Sequence, residues 1–241
     1  RKLEEITGIK DVYSLADDKI KTFGLNAAHL IKNKLEGQIH TGEMIKNLHQ
    51  LAVRKGIIII NGVEAEKPTD NINEVIIKFK NFSFSSEKAI IAVNGFAKQL
   101  YPELEVNPGR AQVLVTAPIK NLKFKGTFHF DKGYYYFRNI GNRVLFGGGR
   151  NLDFKGEETF EMNLSEQIQQ NLEHHLKTNI LPGTDFQIEH RWSGIMGIGN
   201  SKTTIVKHLS HNVVCAVRMG GMGVAIGTLI GEEAVEMMLN V

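Results

Sequence analysis

The spacing of apolar positions changes character twice along the chain. Between Thr41 and Lys55 they fall at Met44, Ile45, Leu48, Leu51 and Ala52. That is helical spacing, with Thr41 placed to cap the start and Gly56 to stop the helix. "IIII" (Ile57–Ile60) follows at once and predicts a buried strand. "NEVIIKFKNFSFSSEKAIIAVNG" predicts two or three strands joined by polar turns, closing on "AIIAV" and Asn94-Gly95. The middle is β-rich: "GRAQVLVTAP", "LKFKGTFHFD", "GYYYFR" and "RVLFGGG" are separated by the hairpin-like spacers "DKG" and "NIGN". An antiparallel sheet is expected there. In "NLSEQIQQNLEHHLKTNILPG", Ile168, Leu172, Leu176 and Ile180 recur every four residues, and Pro182-Gly183 ends the helix. "DFQIEHRWSGI" predicts a further strand. Last comes "NVVCAVRMGGMGVAIGTLIGEEAVEMML", an apolar run, a glycine knot and a long apolar-periodic stretch. A buried α/β part, an antiparallel part and a second buried α/β part imply two domains, the α/β one assembled from segments distant in sequence.

Composition narrows the class without changing that picture. The 241 residues are 42% hydrophobic and 23% charged, enough for a core that needs no metal or disulfide staple. Net charge is +3 with both signs interspersed, so no basic stripe argues for nucleic acid. The single cysteine, Cys215, lies in an apolar run, is read as a core residue, and fits a reducing, cytoplasmic compartment. The N-terminus "RKLEEITGIK" has no apolar segment of a signal peptide, and Arg218 and the glycines interrupt the closing stretch, so no membrane span is expected. Arg1 in first place suggests a piece of a longer protein. His208-x-x-His211 and His174-His175 have no carboxylate cluster beside them, so no metal is expected.

The glycine knot at Gly220, Gly221 and Gly223 is the most suggestive local feature. Glycines between a strand and a helix let a backbone approach a ligand, and the first amides of the helix are free donors. A dinucleotide fingerprint needs GxGxxG and an acid about twenty positions later. Here the third glycine, Gly227, falls one residue late and the chain ends before such an acid. No Gly-Lys-Ser/Thr is present, so a P-loop is excluded. Alone, the stretch reads equally as a packing turn or as backbone offered to a ligand.

Several stretches together are more specific. In order, "AIIAVNGFAKQL", "NPGRAQVLVT", "GYYYFRNIGNRVLFGGGR", "HRWSGIMG" and "VVCAVRMGGMGVAIGTLIGEEAVEMM" resemble the FAD-dependent oxidoreductases of the D-amino-acid oxidase and glycine oxidase family, over roughly residues 38–239. The resemblance implies an α/β and α+β fold, in which an interleaved FAD/NAD(P)-binding-type domain, incomplete here, joins an antiparallel-sheet substrate domain. The implied division is 1–37 as substrate-domain or linker segment, 38–105 as part of the FAD-binding domain, 106–185 as the substrate domain and 186–241 as the C-terminal part of the FAD-binding domain. The family's Rossmann strand, GxGxxG and ribose-binding acid lie upstream of everything here. The chain alone is therefore expected to be inactive and not to hold FAD in the family's manner.

The same resemblance assigns roles. Gly220, Gly221, Met222, Gly223 and Val224 match a flavin-facing turn, with Arg218 just before it. Ala92, Val93, Asn94 and Gly95 match a turn passing the cofactor, Val63 a position whose backbone meets the adenine, and Trp192 and Gly194 a W-x-G strand beside the flavin. Tyr134 falls where a substrate-site tyrosine is placed, and Tyr136 shares its strand parity; both read equally well as ordinary sheet residues. The family's amino-acid oxidases carry an arginine two residues after that glycine, to clamp a carboxylate. This chain has Met196 there, and a thioether cannot replace a guanidinium. Arg138, Arg150, Arg191 or Arg218 could supply charge from elsewhere, but each reads first as a surface or structural arginine. The expected activity is oxidation of a C–N bond of an amine or amino acid by hydride transfer to FAD, with Met196 favouring an amine or a larger substrate. The alternatives are a C–OH dehydrogenase of the same family and a non-catalytic binding subunit. Expected partners are the small-molecule substrate, and either a second copy of the chain or the absent N-terminal segment.

Overall fold

The structure is a computed structural model that describes residues 2–239. The elements in chain order begin with α1 (Lys2–Thr7), β1 (Tyr13–Leu15), α2 (Asp18–Phe23), β2 (Ile31–Asn33) and α3 (Thr41–Arg54). Then come β3 (Thr69–Asp70), β4 (Val75–Lys78), β5 (Ser83–Ser86), β6 (Ala89–Ile91), a 3-10 turn at Asn94–Phe96 and α4 (Ala97–Leu100). The β-rich middle is β7 (Asn107–Thr116), β8 (Thr127–Phe130), β9 (Tyr135–Ile140) and β10 (Arg143–Gly148). The chain closes with α5 (Glu166–His175), β11 (Ile188–Ile198), β12 (Ile205–Ser210), β13 (Val213–Val217) and α6 (Gly223–Leu239). It forms two compact units, each made of three segments: 1–40, 111–154 and 163–193 in one, 41–110, 155–162 and 194–241 in the other. Mixed helix and sheet, with the middle strands antiparallel, is the class the apolar spacing predicts.

The first unit is organised by the sheet β11-β7-β10-β9-β8. Its core face carries Leu114, Tyr135, Phe137, Val144 and Phe146, packed against Ile168, Leu172, Leu176 and Ile180. The four-residue recurrence thus lines one helical face, continued by a π-turn at Leu176–Ile180 that holds the period beyond α5. Ser165 caps α5 by accepting a bond from the Ile168 amide.

In the second unit β13 pairs parallel with β6 and antiparallel with β12. All five residues of β13 are buried: Val213, Cys215 and Val217 pack on one side with Val75, Ile91, Leu104 and Val106, and Val214 and Ala216 on the other with Ile230, Ala234 and Met238 of α6. Burial pushes the Cys215 thiol pKa up, which keeps it neutral. Arg110 and Glu157 form a buried bidentate ion pair here, at 3.0 and 2.5 Å, and Phe160 packs on Phe96 at 5.9 Å. Among the described residues no helix is long and apolar enough to cross a membrane.

Three expectations are corrected. Ile57–Ile60 are not a buried strand: they join no sheet, and Ile58 is 86% exposed. An apolar run is buried only where a neighbour supplies ladder bonds and cover, and neither meets this segment among the described residues. The apolar side of α3 is likewise open, with Ile45, Leu48 and Leu51 all exposed. The strand in "AIIAV" ends at Ile91, because Val93 already turns into the 3-10 turn and Asn94 takes φ +48°. Finally, Tyr134 and Tyr136 do not share strand parity: Tyr134 precedes β9 in a helical conformation (φ −68°, ψ −22°), so the two-residue alternation does not reach it.

Candidate functional site

In the second unit three backbone segments converge on Asn94. The chain leaving β6 passes through Asn94 and Gly95, the end of β11 brings Met196 and Gly197, and the turn after β13 brings Met219 to Gly221. A Cβ on Gly95 would lie 2.5 Å from the Met196 carbonyl oxygen and 2.9 Å from its carbon, so only glycine fits. A Cβ on Gly197 would collide with Asn94 Oδ1. That oxygen accepts a bond from the Met219 amide at 3.1 Å, and the Gly220 amide donates to the Gly197 carbonyl at 2.9 Å. The knot is therefore tied by backbone and one amide side chain.

Its outer side is built differently. Gly220 (φ +57°) and Gly221 (φ +85°) lie in the left-handed region, and a Cβ on Gly220 would meet nothing within 4 Å. α6 starts two residues later. The amides of Ala225 and Ile226 turn back to the Met222 carbonyl. Those of Gly223 and Val224, the first of a 17-residue helix, have no intrahelical acceptor, and the helix dipole makes them a site for negative charge. The Met196 sulfur lies 3.6 Å from where a Gly221 Cβ would stand.

Of the residues singled out from the sequence, Asn94, Gly95, Met196, Gly220 and Gly221 are brought together here, with Met222, Gly223 and Val224 continuing the turn into α6. Ala92 and Val93 lead into it, exposed. Arg218 (φ +63°) is buried and committed elsewhere: Nε donates to the Thr203 carbonyl at 2.8 Å and Nη1 to the Glu105 carbonyl at 2.9 Å. A Gly199 Cβ would stand 2.8 Å from its side chain. Gly194 is open, and Val63 lies in an exposed loop. Gly197 and Gly199 were not singled out, although "GIMGIGN" places a Gly-x-Gly at the end of a predicted strand. His208 and His211 are exposed, and no group of three metal-capable side chains occurs among the described residues.

The remaining candidates belong to the first unit. Trp192 is exposed on β11. The Tyr134 ring packs edge-on to Phe154 at 5.9 Å. Tyr136 lies on β9 with its ring partly exposed, but its hydroxyl tucks over Gly147, 2.8 Å from where that glycine's Cβ would be. Burial of the hydroxyl end pushes its pKa up, so the phenol stays protonated and can donate.

Comparison with known proteins settles what kind of protein carries this knot. A profile of the DAO family, FAD dependent oxidoreductase, matches residues 10–237. The chain belongs to this family of FAD-dependent oxidoreductases. It is similar to the probable oxidoreductase OrdL of Rhizobium meliloti (strain 1021), with 23% identity over 234 residues that cover 93% of this chain and 53% of that protein. Among solved structures it is similar to glycine oxidase from Geobacillus kaustophilus, with a TM-score of 0.82, 17% identity, and coverage of 97% of this chain and 64% of that one. It is also similar to L-proline dehydrogenase from P. horikoshii, with a TM-score of 0.78, 15% identity, and coverage of 99% and 67%. At these identities the likeness is one of fold. The chain spans about half the length of the curated relative it matches, at 53%. FAD is the cofactor of the family, and the open glycine turn with unpaired helix amides suits the electron-rich edge of a flavin ring. A GxGxxG cradle for the pyrophosphate is not in this sequence.

Proposed function

We propose that the protein oxidises a C–N bond of an amine or amino acid, with FAD as acceptor. The observation that carries this reading is the knot at Asn94, Gly95, Gly197 and Gly220, which holds an open, donor-rich turn at the start of α6. FAD, when bound, supplies the hydride acceptor. The chain's own contribution is positional. The amides of Gly223 and Val224 would favour negative charge at the ring edge, and the dipole of α6 adds to that preference. Asn94, through the Met219 amide, fixes where the turn sits, and Met196 lies against it with a neutral side chain. Tyr136 holds its proton and can donate to a substrate oxygen; Tyr134 and Trp192 are proposed to shape the substrate's surroundings. The names of the structural relatives, glycine oxidase and L-proline dehydrogenase, support a substrate with nitrogen on the oxidised carbon.

The test is anaerobic mixing of the flavin-loaded protein, expressed from its complete reading frame, with amines, amino acids and 2-hydroxy acids. Bleaching of the flavin by a nitrogen compound, with release of an imine-derived carbonyl and ammonia or a smaller amine, is expected. Bleaching by hydroxy acids alone would move the reading to C–OH oxidation. A protein that takes up no flavin would leave a binding role.

A further inference from the structure

The turn into α6 carries one side chain that the flavin reading leaves unused. Met222 stands between Gly221 and Gly223, neither of which has a side chain to cover it. A Cβ on Gly220 would meet nothing within 4 Å, and one on Gly223 would meet only the Met219 side chain, at 3.6 Å. The backbone of Met222 is tied on both sides. Its amide donates to the Met219 carbonyl at 2.9 Å, and its carbonyl accepts from the Ala225 and Ile226 amides at 3.0 and 3.1 Å. Its side chain is left 52% exposed. Of the seven methionines only Met162, at 66%, is also exposed; Met44, Met196, Met219 and Met237 are half-buried and Met238 is buried.

An exposed thioether is a ready target for oxygen transfer, and the one thiol of the chain does not compete, because Cys215 is buried. When hydrogen peroxide reaches the sulfur, the O–O bond breaks and an S–O bond forms. The sulfur is oxidised to the sulfoxide and the peroxide is reduced to water. The product is a polar side chain in place of an apolar one. Its oxygen stands as many bonds from Cα as the amide oxygen of glutamine, and it is a hydrogen-bond acceptor. Met222 is the residue just before α6, the position from which a capping side chain accepts bonds from the first turn. The amides of Gly223 and Val224 have no intrahelical acceptor, so the new oxygen arises beside donors that are still free.

We propose that Met222 is a peroxide-sensitive modification site, whose sulfoxide takes the amides at the start of α6 and so loosens the flavin. This rests on the reading of the turn as flavin-facing. Met162 is as open, but it lies ahead of α5 and outside the turn, so its oxidation leaves flavin binding alone.

The experiment uses the protein from its complete reading frame, treated with dilute hydrogen peroxide and quenched with free methionine. Peptide mass mapping reads which methionines carry oxygen, and fluorescence titration reads the FAD dissociation constant. Each variant is compared with its own untreated sample. Met222 and Met162 are expected to oxidise ahead of the other methionines. The FAD dissociation constant should rise by about 2- to 10-fold in the wild type and in Met162→Leu. It should not rise in Met222→Leu, although Met162 still oxidises there. Methionine sulfoxide reductases should reverse the rise. Met222→Gln, which carries a permanent acceptor of the same reach, should bind FAD more weakly than Met222→Leu without any peroxide. A Met222 that stays a thioether while Met162 oxidises overturns the inference, and so does a rise as large in Met222→Leu as in the wild type. If Met222 oxidises early but the untreated protein takes up no FAD, the modification site stands and the flavin reading fails. If the untreated protein holds FAD and oxidation of Met222 leaves the dissociation constant unchanged, the flavin reading stands and the inference fails.

Discussion

Replacing Gly95 by alanine should damage the knot in a way that Gly194→Ala cannot. The new methyl at position 95 would lie 2.5 Å from the Met196 carbonyl oxygen, 2.9 Å from its carbon and 3.2 Å from the Gly197 amide nitrogen. All three are backbone atoms, so no rotamer change relieves the clash and the turn at Asn94–Phe96 must move against β11. Forcing an extra carbon into such a place costs about 1–3 kcal/mol. For a chain of this size each kcal/mol lowers Tm by about 2–4 °C. The displacement falls on Met196 and Gly197, whose carbonyl holds the Gly220 amide, so the flavin-facing turn should shift as well. Gly194 is the control, because a Cβ there would meet nothing within 4 Å. The assay is thermal unfolding together with flavin content per protein after dialysis against FAD. Gly95→Ala should lower both, while Gly194→Ala stays near the wild type. Wild-type values of both for Gly95→Ala would refute the argument that these segments meet at the knot.

Three further outcomes are expected. Glu157→Ala strands the buried Arg110 charge and should cost about 3–5 kcal/mol in urea unfolding, whereas the double variant Arg110→Met, Glu157→Leu should recover much of that. The Asn212 amide and the Ser210 hydroxyl, together with the Ile72 amide and the Asn212 side chain, hold the Asp70 pKa down at about 2. A lowered carboxylate pKa contributes stability that is present above the ordinary value and lost as pH falls through the folded one. An unfolding series from pH 5 to pH 2 should therefore be shallower for Asp70→Asn. Ile58→Ser in this 241-residue chain should change stability by no more than about 0.5 kcal/mol, since the side chain is 86% exposed; a loss of several times that would restore the buried-strand reading.

The parts legible in the sequence are those where one face of an element meets a core supplied by the same unit. The recurrence of Ile168, Leu172, Leu176 and Ile180 predicts a buried helical face and finds it, because the aromatic face of β8 to β10 covers it. The all-apolar β13 predicts a strand buried on both sides, and α6 covers one side while Val75, Leu104 and Val106 cover the other. Ile57–Ile60 carry as strong an apolar signal and are exposed, because apolar character states a demand for cover and not its supply. Tyr134 fails for a different reason: a turn with Asp131 and Lys132 at positive φ ends the alternation one residue before β9. In the candidate site the glycines after β13 were readable, since their left-handed backbone needs glycine locally. Gly197 was not, because its need for a bare Cα comes from Asn94, more than a hundred residues away in sequence.

The central claim is that this knot serves a flavin. The measurement that tests it most directly is the visible absorption spectrum of the protein purified from its complete reading frame, before and after incubation with FAD. Flavin bands that survive dialysis, and that weaken in Gly95→Ala but not in Gly194→Ala, are the predicted result. A colourless protein that takes up no FAD would contradict the account.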